Sequence, residues 1–275
     1  MSGFVKGVLL VTVVLAGLLA RGEFGDVHGL LAPELRTTYV SLGKLVEDRP
    51  MQATAAKGNI DLDFLGRFGV TFWGLSSLSD RKHDVHRHVL YFNDIGPYWN
   101  YDWEIAEGWK LKSEVSRQWS LFRGFRPTYA NSEHTIHWYQ VDQELANPYL
   151  TPFWRIRPVF RPADLLYFKI GVKRRFPLWD DFYVQPAVQV DGGDSVNNER
   201  RYGKRANRRR QPHRAGSMIF RLEFGWKVSP SLTAFATVEE YLVVSSAARG
   251  SVAASSDPCA AKDLTLGTVG VRWVF

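Results

Sequence analysis

The chain lacks the features that would mark a disulfide-linked domain, a helical membrane protein or a cofactor enzyme. Cys259 is its only cysteine among 275 residues, so no disulfide can form within it. The longest apolar run, Val8–Ala20, has about 13 residues, whereas a transmembrane helix needs roughly 20. No Gly-rich phosphate loop and no paired-cysteine metal site occurs. We therefore expect no cofactor, no bound metal and no catalytic residues.

The N-terminus has the pattern of a secretory signal peptide. Lys6 precedes the apolar run, which ends on small residues and is followed at once by Arg21 and Glu23. We expect residues 1–20 to be the signal peptide, with cleavage near Ala20, and the rest of the chain to be exported.

The composition combines aromatic richness with many charges. The chain has 10 Trp, 11 Tyr and 17 Phe, yet 23% of its residues are charged, and its mean hydropathy is −0.21. A helical membrane protein cannot have this balance. A membrane β-barrel can, because lipid-facing and lumen-facing residues alternate along each strand.

Period-two alternation recurs along the chain. In Trp99–Ile105 every second residue is large and apolar, and the residues between are Asn, Asp and Glu. The same pattern covers residues 109–121, with Arg117 as its one exception, and then 166–173, 182–191 and 218–228. We predict that the apolar set faces lipid and that the charged set faces a lumen, since a soluble barrel would reverse the two.

The predicted fold is all-β, a transmembrane antiparallel up-and-down barrel of about 12 strands, with ten or fourteen as open alternatives. The predicted connections are short at one end and long at the other, as in bacterial outer-membrane barrels. We expect residues 21–35 to be a periplasmic lead and 36–275 to be the barrel. The predicted strands are 36–45, 50–64, 67–77, 87–106, 109–123, 133–146, 150–161, 164–176, 180–192, 216–228, 231–244 and 262–275.

The chain ends on a strand with an aromatic C-terminus. In Thr268–Phe275 the spacing of Thr268, Gly270, Trp273 and Phe275 resembles the terminal assembly signal of bacterial outer-membrane proteins. An ordinary edge strand at a chain end is the alternative. We predict that Gly270, Trp273 and Phe275 are recognised by the barrel-assembly machinery, and that the protein resides in the outer membrane of a Gram-negative bacterium.

The order of several motifs resembles the TorF-like outer-membrane porins over most of the mature chain. This resemblance implies a membrane barrel with a pore, but it supplies no site residues, and the basic segment 199–214 departs from the family pattern. The motifs are Tyr39-Val-Ser, Arg49-Pro-Met-Gln, Phe68-Gly-Val-Thr-Phe-Trp-Gly-Leu-Ser-Ser-Leu-Ser-Asp80, Pro148-Tyr-Leu-Thr-Pro-Phe-Trp154, Phe168-Lys-Ile-Gly-Val-Lys-Arg-Arg-Phe-Pro-Leu178 and Val228-Ser-Pro-Ser-Leu-Thr233.

The charged residues on the predicted lumen face form the candidate pore lining. Acids dominate the early strands and bases the later ones, which predicts a transverse field across the lumen and a weak preference for anions. The alternative is that these charges pair across a narrow lumen and plug it. The set is Asp61, Asp63, Asp102, Glu104, Lys110, Lys112, Arg155, Arg157, Lys169, Lys173, Arg175, Arg221, Glu223 and Lys227.

Residues 199–214 contain a dense basic segment in a predicted outer loop. We expect no nucleic-acid partner for an exported barrel. The abundant anions at that surface are lipopolysaccharide phosphates, which Arg binds bidentately. A loop folded into the pore and a simply solvated loop are the alternatives. The candidate polyanion-binding residues are Arg200, Arg201, Lys204, Arg205, Arg208, Arg209, Arg210 and Arg214.

Two further groups contain residue types that occur in metal sites or in hydrolases. His83, His86 and His88 have no zinc-site spacing, and bases flank them. Ser132, Glu133, His134 and His137 are hydrolase residue types near the predicted outer rim.

The predicted function is a porin-like channel for passive diffusion of small polar or anionic solutes, with outer-membrane lipid as a further partner. There are two alternatives. One is a rim hydrolase that acts on lipid, and the other is a plugged structural or adhesive barrel that binds polyanions through its basic loop.

Overall fold

The computed structural model describes residues 27–41, 44–47, 50–77, 91–120, 136–160, 164–202, 214–253 and 263–275. The predicted signal peptide, the histidine group at 83–88, Ser132, Glu133, His134 and Cys259 lie outside the described residues.

Twelve strands form the barrel, each antiparallel to its neighbours in sequence. They are β1 (Val27–Arg36), β2 (Met51–Asp61), β3 (Arg67–Ser77), β4 (Tyr91–Ala106), β5 (Trp109–Ser120), β6 (Ile136–Ala146), β7 (Thr151–Phe160), β8 (Leu165–Lys173), β9 (Phe182–Gly193), β10 (Arg214–Lys227), β11 (Leu232–Val243) and β12 (Leu264–Val274). The short strand Phe176–Trp179 continues β8 and also pairs with β9.

The sheet closes on itself. The first strand pairs with the last, with Leu30 opposite Val274 and Arg36 opposite Thr268. The remaining neighbours pair in sequence order, including β8 with β9. The predicted closed up-and-down barrel of 12 strands is confirmed.

The predicted first strand was wrong. Residues 27–35, which we expected to lie in a periplasmic lead, form most of β1, and Tyr39–Ser41 pairs with Lys44–Glu47 in a small separate sheet. Pro33 argues against a strand at this place in the sequence, because proline has no N–H to donate to a neighbouring strand. The ladder between β1 and β12 skips Ala32 and Pro33, while β2 pairs with β1 along its whole length.

The two ends of the barrel differ as predicted. Val27 and Phe275 lie at one end, here called the inner end, with the short connections 62–66, 107–108, 147–150, 180–181 and 228–231. Gly108 has φ 74°, the left-handed conformation that a tight hairpin turn requires. The connections at the opposite, outer end are long except for 161–164.

The two faces of the wall are also as predicted. Large apolar residues cover the outside, such as Ile170, Phe224 and Trp226, which are 56%, 47% and 45% exposed. Three polar side chains on this face bond to one another. Gln143 donates to the Ser113 hydroxyl (3.2 Å) and accepts from the Trp154 indole N–H (2.7 Å).

Two short helices lie in outer connections, α1 (Ser195–Tyr202) and α2 (Ser246–Ala253), and they contact each other. Asp194 caps α1 by accepting from the backbone N–H of Asn197 (2.8 Å). Val196 of α1 packs against an interior cluster of Trp138, Val159 and Leu165. In the described residues, α1 therefore packs against inward-facing side chains of the outer half of the lumen. No helix of the described residues is long and apolar enough to cross a bilayer.

Candidate functional site

The inner half of the lumen contains a polar cavity of about 740 Å³. Strands from the whole circumference contribute inward-facing residues to it. Nine bases and five acids line it: Lys57, Arg67, Lys112, Arg155, Lys169, Lys173, Arg175, Arg221 and Arg272, with Asp102, Glu114, Asp142, Glu144 and Glu223. Bases therefore exceed acids in the lining.

Every carboxylate of the cavity is held by a base. Most of these pairs join strands that are neighbours or next neighbours in the wall. Arg155 binds Asp142 (2.5 Å), Arg67 binds Asp102 (3.2 Å), Lys57 binds Glu114 (2.7 Å), and Lys173 binds Glu144.

Glu223 has the most complete set of partners. Its side chain is 2% exposed. Arg272 donates two hydrogen bonds to it (2.7 and 2.9 Å), Arg221 donates one (2.8 Å), and the Tyr183 hydroxyl donates another (2.9 Å). This carboxylate holds two arginines against the wall and has no negative charge left for a solute.

Three cavity bases, Lys112, Lys169 and Arg175, have no carboxylate partner among the described residues. Lys112 lies opposite Asp102 and Glu144 in the ladders, but those acids pair with Arg67 and Lys173. Arg175 lies over the Tyr183 ring, 4.1 Å from its centroid.

Lys169 lies directly opposite Arg155 in the ladder between β7 and β8, and both line the cavity. Like charges opposite each other in a sheet are destabilising. Asp191, opposite Lys169 on β9, is fully buried and accepts from the Tyr167 hydroxyl (3.1 Å). An anion in the cavity would relieve the repulsion between Lys169 and Arg155.

The structure places eight of the fourteen predicted pore-lining residues in this cavity: Asp102, Lys112, Arg155, Lys169, Lys173, Arg175, Arg221 and Glu223. The other six lie elsewhere, for two reasons. Some follow the end of a strand that was predicted too long, and others lie above or below the cavity.

Asp61 ends β2, and Asp63 is in the turn after it, where Asp61 accepts from the Asp63 backbone N–H (3.0 Å). Glu104 and Lys110 pair at 3.5 Å on the hairpin of the inner end, where Glu104 is 80% exposed. Lys227 is the last residue of β10.

Arg157 lies above the cavity in the outer half of the lumen. It donates to Gln140 (2.8 Å) and lies 5.5 Å from the centroid of the Trp138 ring.

Six charged residues of the cavity were missed: Lys57, Arg67, Glu114, Asp142, Glu144 and Arg272. For some, the signal was present in the sequence. Asp142 and Glu144 alternate with Val141 and Leu145, and Arg272 lies on the predicted lumen face of the last strand. Lys57 lies among small residues that show no apolar alternation, so nothing in the sequence indicated its direction.

The charges of the cavity are divided unequally between its two sides. Strands β2–β6 contribute three bases and four acids, whereas β7–β12 contribute six bases and one acid. This is the asymmetry on which the predicted transverse field depends, and the field itself stays a prediction.

Only part of the basic loop lies in the described residues. Arg200 and Arg201 belong to α1, and Arg214 is the first residue of β10. Lys204, Arg205, Arg208, Arg209 and Arg210 lie outside the described residues. The role of this loop stays a prediction.

Of the hydrolase residue types near the rim, the described one is His137. Its ring stacks on Phe160, with centroids 6.4 Å apart. It lies opposite Trp119 on the outward face of the wall.

The barrel has large apolar residues outside and ionised side chains inside, which suits a bilayer around it and water within it. It is also closed, so every barrel strand is paired on both sides and no strand edge is exposed to lipid. The chain is an outer-membrane β-barrel.

No family model and no curated protein matches the chain. Several solved structures are similar to it, all of them at low identity. One is the KdgM porin in complex with disordered oligogalacturonate, with a TM-score of 0.48 and 10% identity over 90% of this chain and 99% of that one. Another is the NanC porin, with a TM-score of 0.47 and 9% identity over 90% and 98%. A third is an outer-membrane channel from Pseudomonas putida F1, with a TM-score of 0.49 and 10% identity over 92% and 96%. These are similarities to a porin-like barrel, so the function is inferred below from the lumen of this chain.

Proposed function

We propose that the protein is an outer-membrane channel for passive diffusion of small polar solutes, with a preference for anions. The observation that carries this proposal is the cavity lining, in which bases exceed acids and every carboxylate is already paired. Lys112, Lys169 and Arg175 then present their charge to a solute. No bond is made or broken, and the barrel supplies water, width and a positive potential.

The test is the reversal potential of the purified protein in a planar bilayer with a salt gradient. We expect a preference for chloride over potassium, reduced in Lys169→Glu. One charge contributes about 0.4 kcal/mol at ~10 Å in water before screening. Reversing that charge should therefore change the permeability ratio about threefold at 0.1 M salt.

Lys227→Glu is the matched control, because it makes the same change of charge at the inner end of β10, outside the cavity. It should leave the ratio almost unchanged. A cation preference in the unaltered protein, or an equal effect of both variants, would contradict the proposal.

A plugged barrel is the second candidate, and a specific observation favours it. Trp138, Val159, Leu165 and Val196 form an apolar cluster in the outer half, and α1 and α2 lie in the outer mouth. A properly folded protein that shows no conductance in the same bilayers would support this candidate.

We further infer that the chain is a TorF-like porin, that residues 1–20 direct export, and that Gly270, Trp273 and Phe275 are recognised during assembly. The support is the sequence pattern. In the barrel, Phe275 exchanges backbone hydrogen bonds with Gly29 (2.7 and 3.1 Å), so the terminal residue completes the closing pair of strands. We also propose that the basic loop binds lipopolysaccharide.

A further inference from the structure

Arg117 lies on the lipid-facing side of the wall. Arg117 is on β5 between Ser116 and Gln118, whose side chains hydrogen bond to each other (3.3 Å). Those two belong to the inward face, with Trp138 opposite Gln118. Arg117 lies on the other face with Val115, which is 38% exposed, and is itself exposed.

The position of Arg117 along β5 puts it near the outer membrane surface. The strand begins at Trp109, at the inner end, and Trp119 lies ten residues further along. At about 3.4 Å per residue and a tilt of about 40°, ten residues rise roughly 26 Å, close to the height of the apolar band of such barrels. Trp109 and Trp119 thus mark the two interfaces, and Arg117 lies just below the outer one.

The surroundings of Arg117 hold its guanidinium group but do not neutralise it. The group lies 5.0 Å from the centroid of the Trp119 ring and 5.6 Å from that of Tyr139. Tyr139 is its partner in the ladder between β5 and β6. Within the described part of the chain, no carboxylate pairs with Arg117. A cation on a lipid-facing surface is costly away from the interface, so a counter-charge at the headgroup level would stabilise it.

We propose that Arg117, Trp119 and Tyr139 form a binding site for a phosphate of lipid A in the outer leaflet. A guanidinium group can donate two parallel hydrogen bonds to a phosphate. The two aromatic rings orient the guanidinium group and would pack against the glucosamine and the upper acyl chains. This site is separate from the lumen and from the basic loop, so it does not depend on the proposed channel.

Native mass spectrometry of the purified, folded protein in detergent tests the site, with bisphosphorylated lipid A as the probe. We expect a bound lipid A on the unaltered protein and about tenfold weaker binding by Arg117→Gln, as for the loss of a charged hydrogen-bonding partner. Lipid A without phosphates should bind the unaltered protein as weakly as the intact lipid binds the variant. Excess inorganic phosphate should not displace the lipid, because the site also contacts its apolar part.

Arg174→Gln is the matched control. Arg174 is an exposed arginine over an aromatic ring, 5.0 Å from the centroid of Phe176, but it lies at the inner end of the barrel. Its replacement should leave lipid A binding unchanged. Equal losses in the two variants, or equal binding of phosphorylated and dephosphorylated lipid A by the unaltered protein, would overturn the proposal. The second comparison does not need Arg117→Gln to fold. Made on a protein in which Arg208, Arg209 and Arg210 are changed to Gln, it also excludes a contribution of the basic loop.

Discussion

At the scale of single residues, the charge that the lumen presents to a solute depends on which carboxylates are already paired with bases. Glu223 is buried against four donors from three side chains, whereas Glu239 is 21% exposed and reaches Arg221 at 3.5 Å. A buried ion pair with several hydrogen bonds costs much to break, and a partly exposed one with a longer contact costs less.

The same substitution, Glu→Gln, should therefore change the free energy of unfolding by different amounts at the two positions. Glu223→Gln should lower the free energy of unfolding by about 3 kcal/mol, because two arginines lose their shared counter-charge. Glu239→Gln should lower it by less than about 1 kcal/mol. Urea unfolding in lipid vesicles, followed by tryptophan fluorescence, measures both, and similar midpoints for the two variants would show that Glu223 is not an anchor.

At the scale of strands, the packing inside the wall depends on small residues opposite aromatic ones. Gly225 on β10 lies directly opposite Tyr183 on β9. A Cβ at position 225 would come within 2.0 Å of the tyrosine ring. The ring lies over the glycine and directs its hydroxyl to Glu223 (2.9 Å).

Gly225→Ala should therefore destabilise the barrel by about 1–3 kcal/mol, since the ring of Tyr183 must move. Gly250→Ala is the control, because nothing lies within 4 Å of its added Cβ in α2. That change should be neutral or stabilising, as alanine is favoured over glycine in helices. Thermal unfolding followed by circular dichroism compares the two, and a neutral Gly225→Ala would contradict this account.

A strand could be predicted from the sequence where its two faces differ strongly in polarity. Strands with aromatic and charged residues in alternation, such as β4 and β9, were placed within a few residues. The strand with Pro33 was missed, and the one around Lys57 gave no direction for its side chains. A strand made of small residues satisfies the same ladder, but its sequence does not say which face meets lipid.

At the scale of the whole molecule, the lumen contains a polar cavity in its inner half and an apolar cluster with Val196 of α1 in its outer half. This arrangement predicts a division of roles, in which the outer cluster limits the conductance and the charges of the inner cavity set the ion selectivity.

Trp138 allows that division to be tested. Its indole is 5% exposed within the outer half, and its neighbour Tyr139 is 39% exposed on the outside. If the outer half limits the flow of ions, Trp138→Ala should raise the single-channel conductance, while Tyr139→Ala should leave it unchanged. An unchanged conductance in Trp138→Ala would place the narrowest point elsewhere.

The sequence by itself determined the class of fold and the face of most strands, because the alternation of polarity is a local property with a period of two. It predicted about 12 strands, but the first of them, 36–45, is replaced in the barrel by Val27–Arg36. It also indicated most of the basic residues that line the lumen. Only the tertiary structure decided which charges meet, that Glu223 neutralises Arg221 and Arg272, and that α1 enters the outer mouth. Those outcomes depend on the register between strands and on the closure of the sheet, which bring together residues with no fixed spacing in the chain.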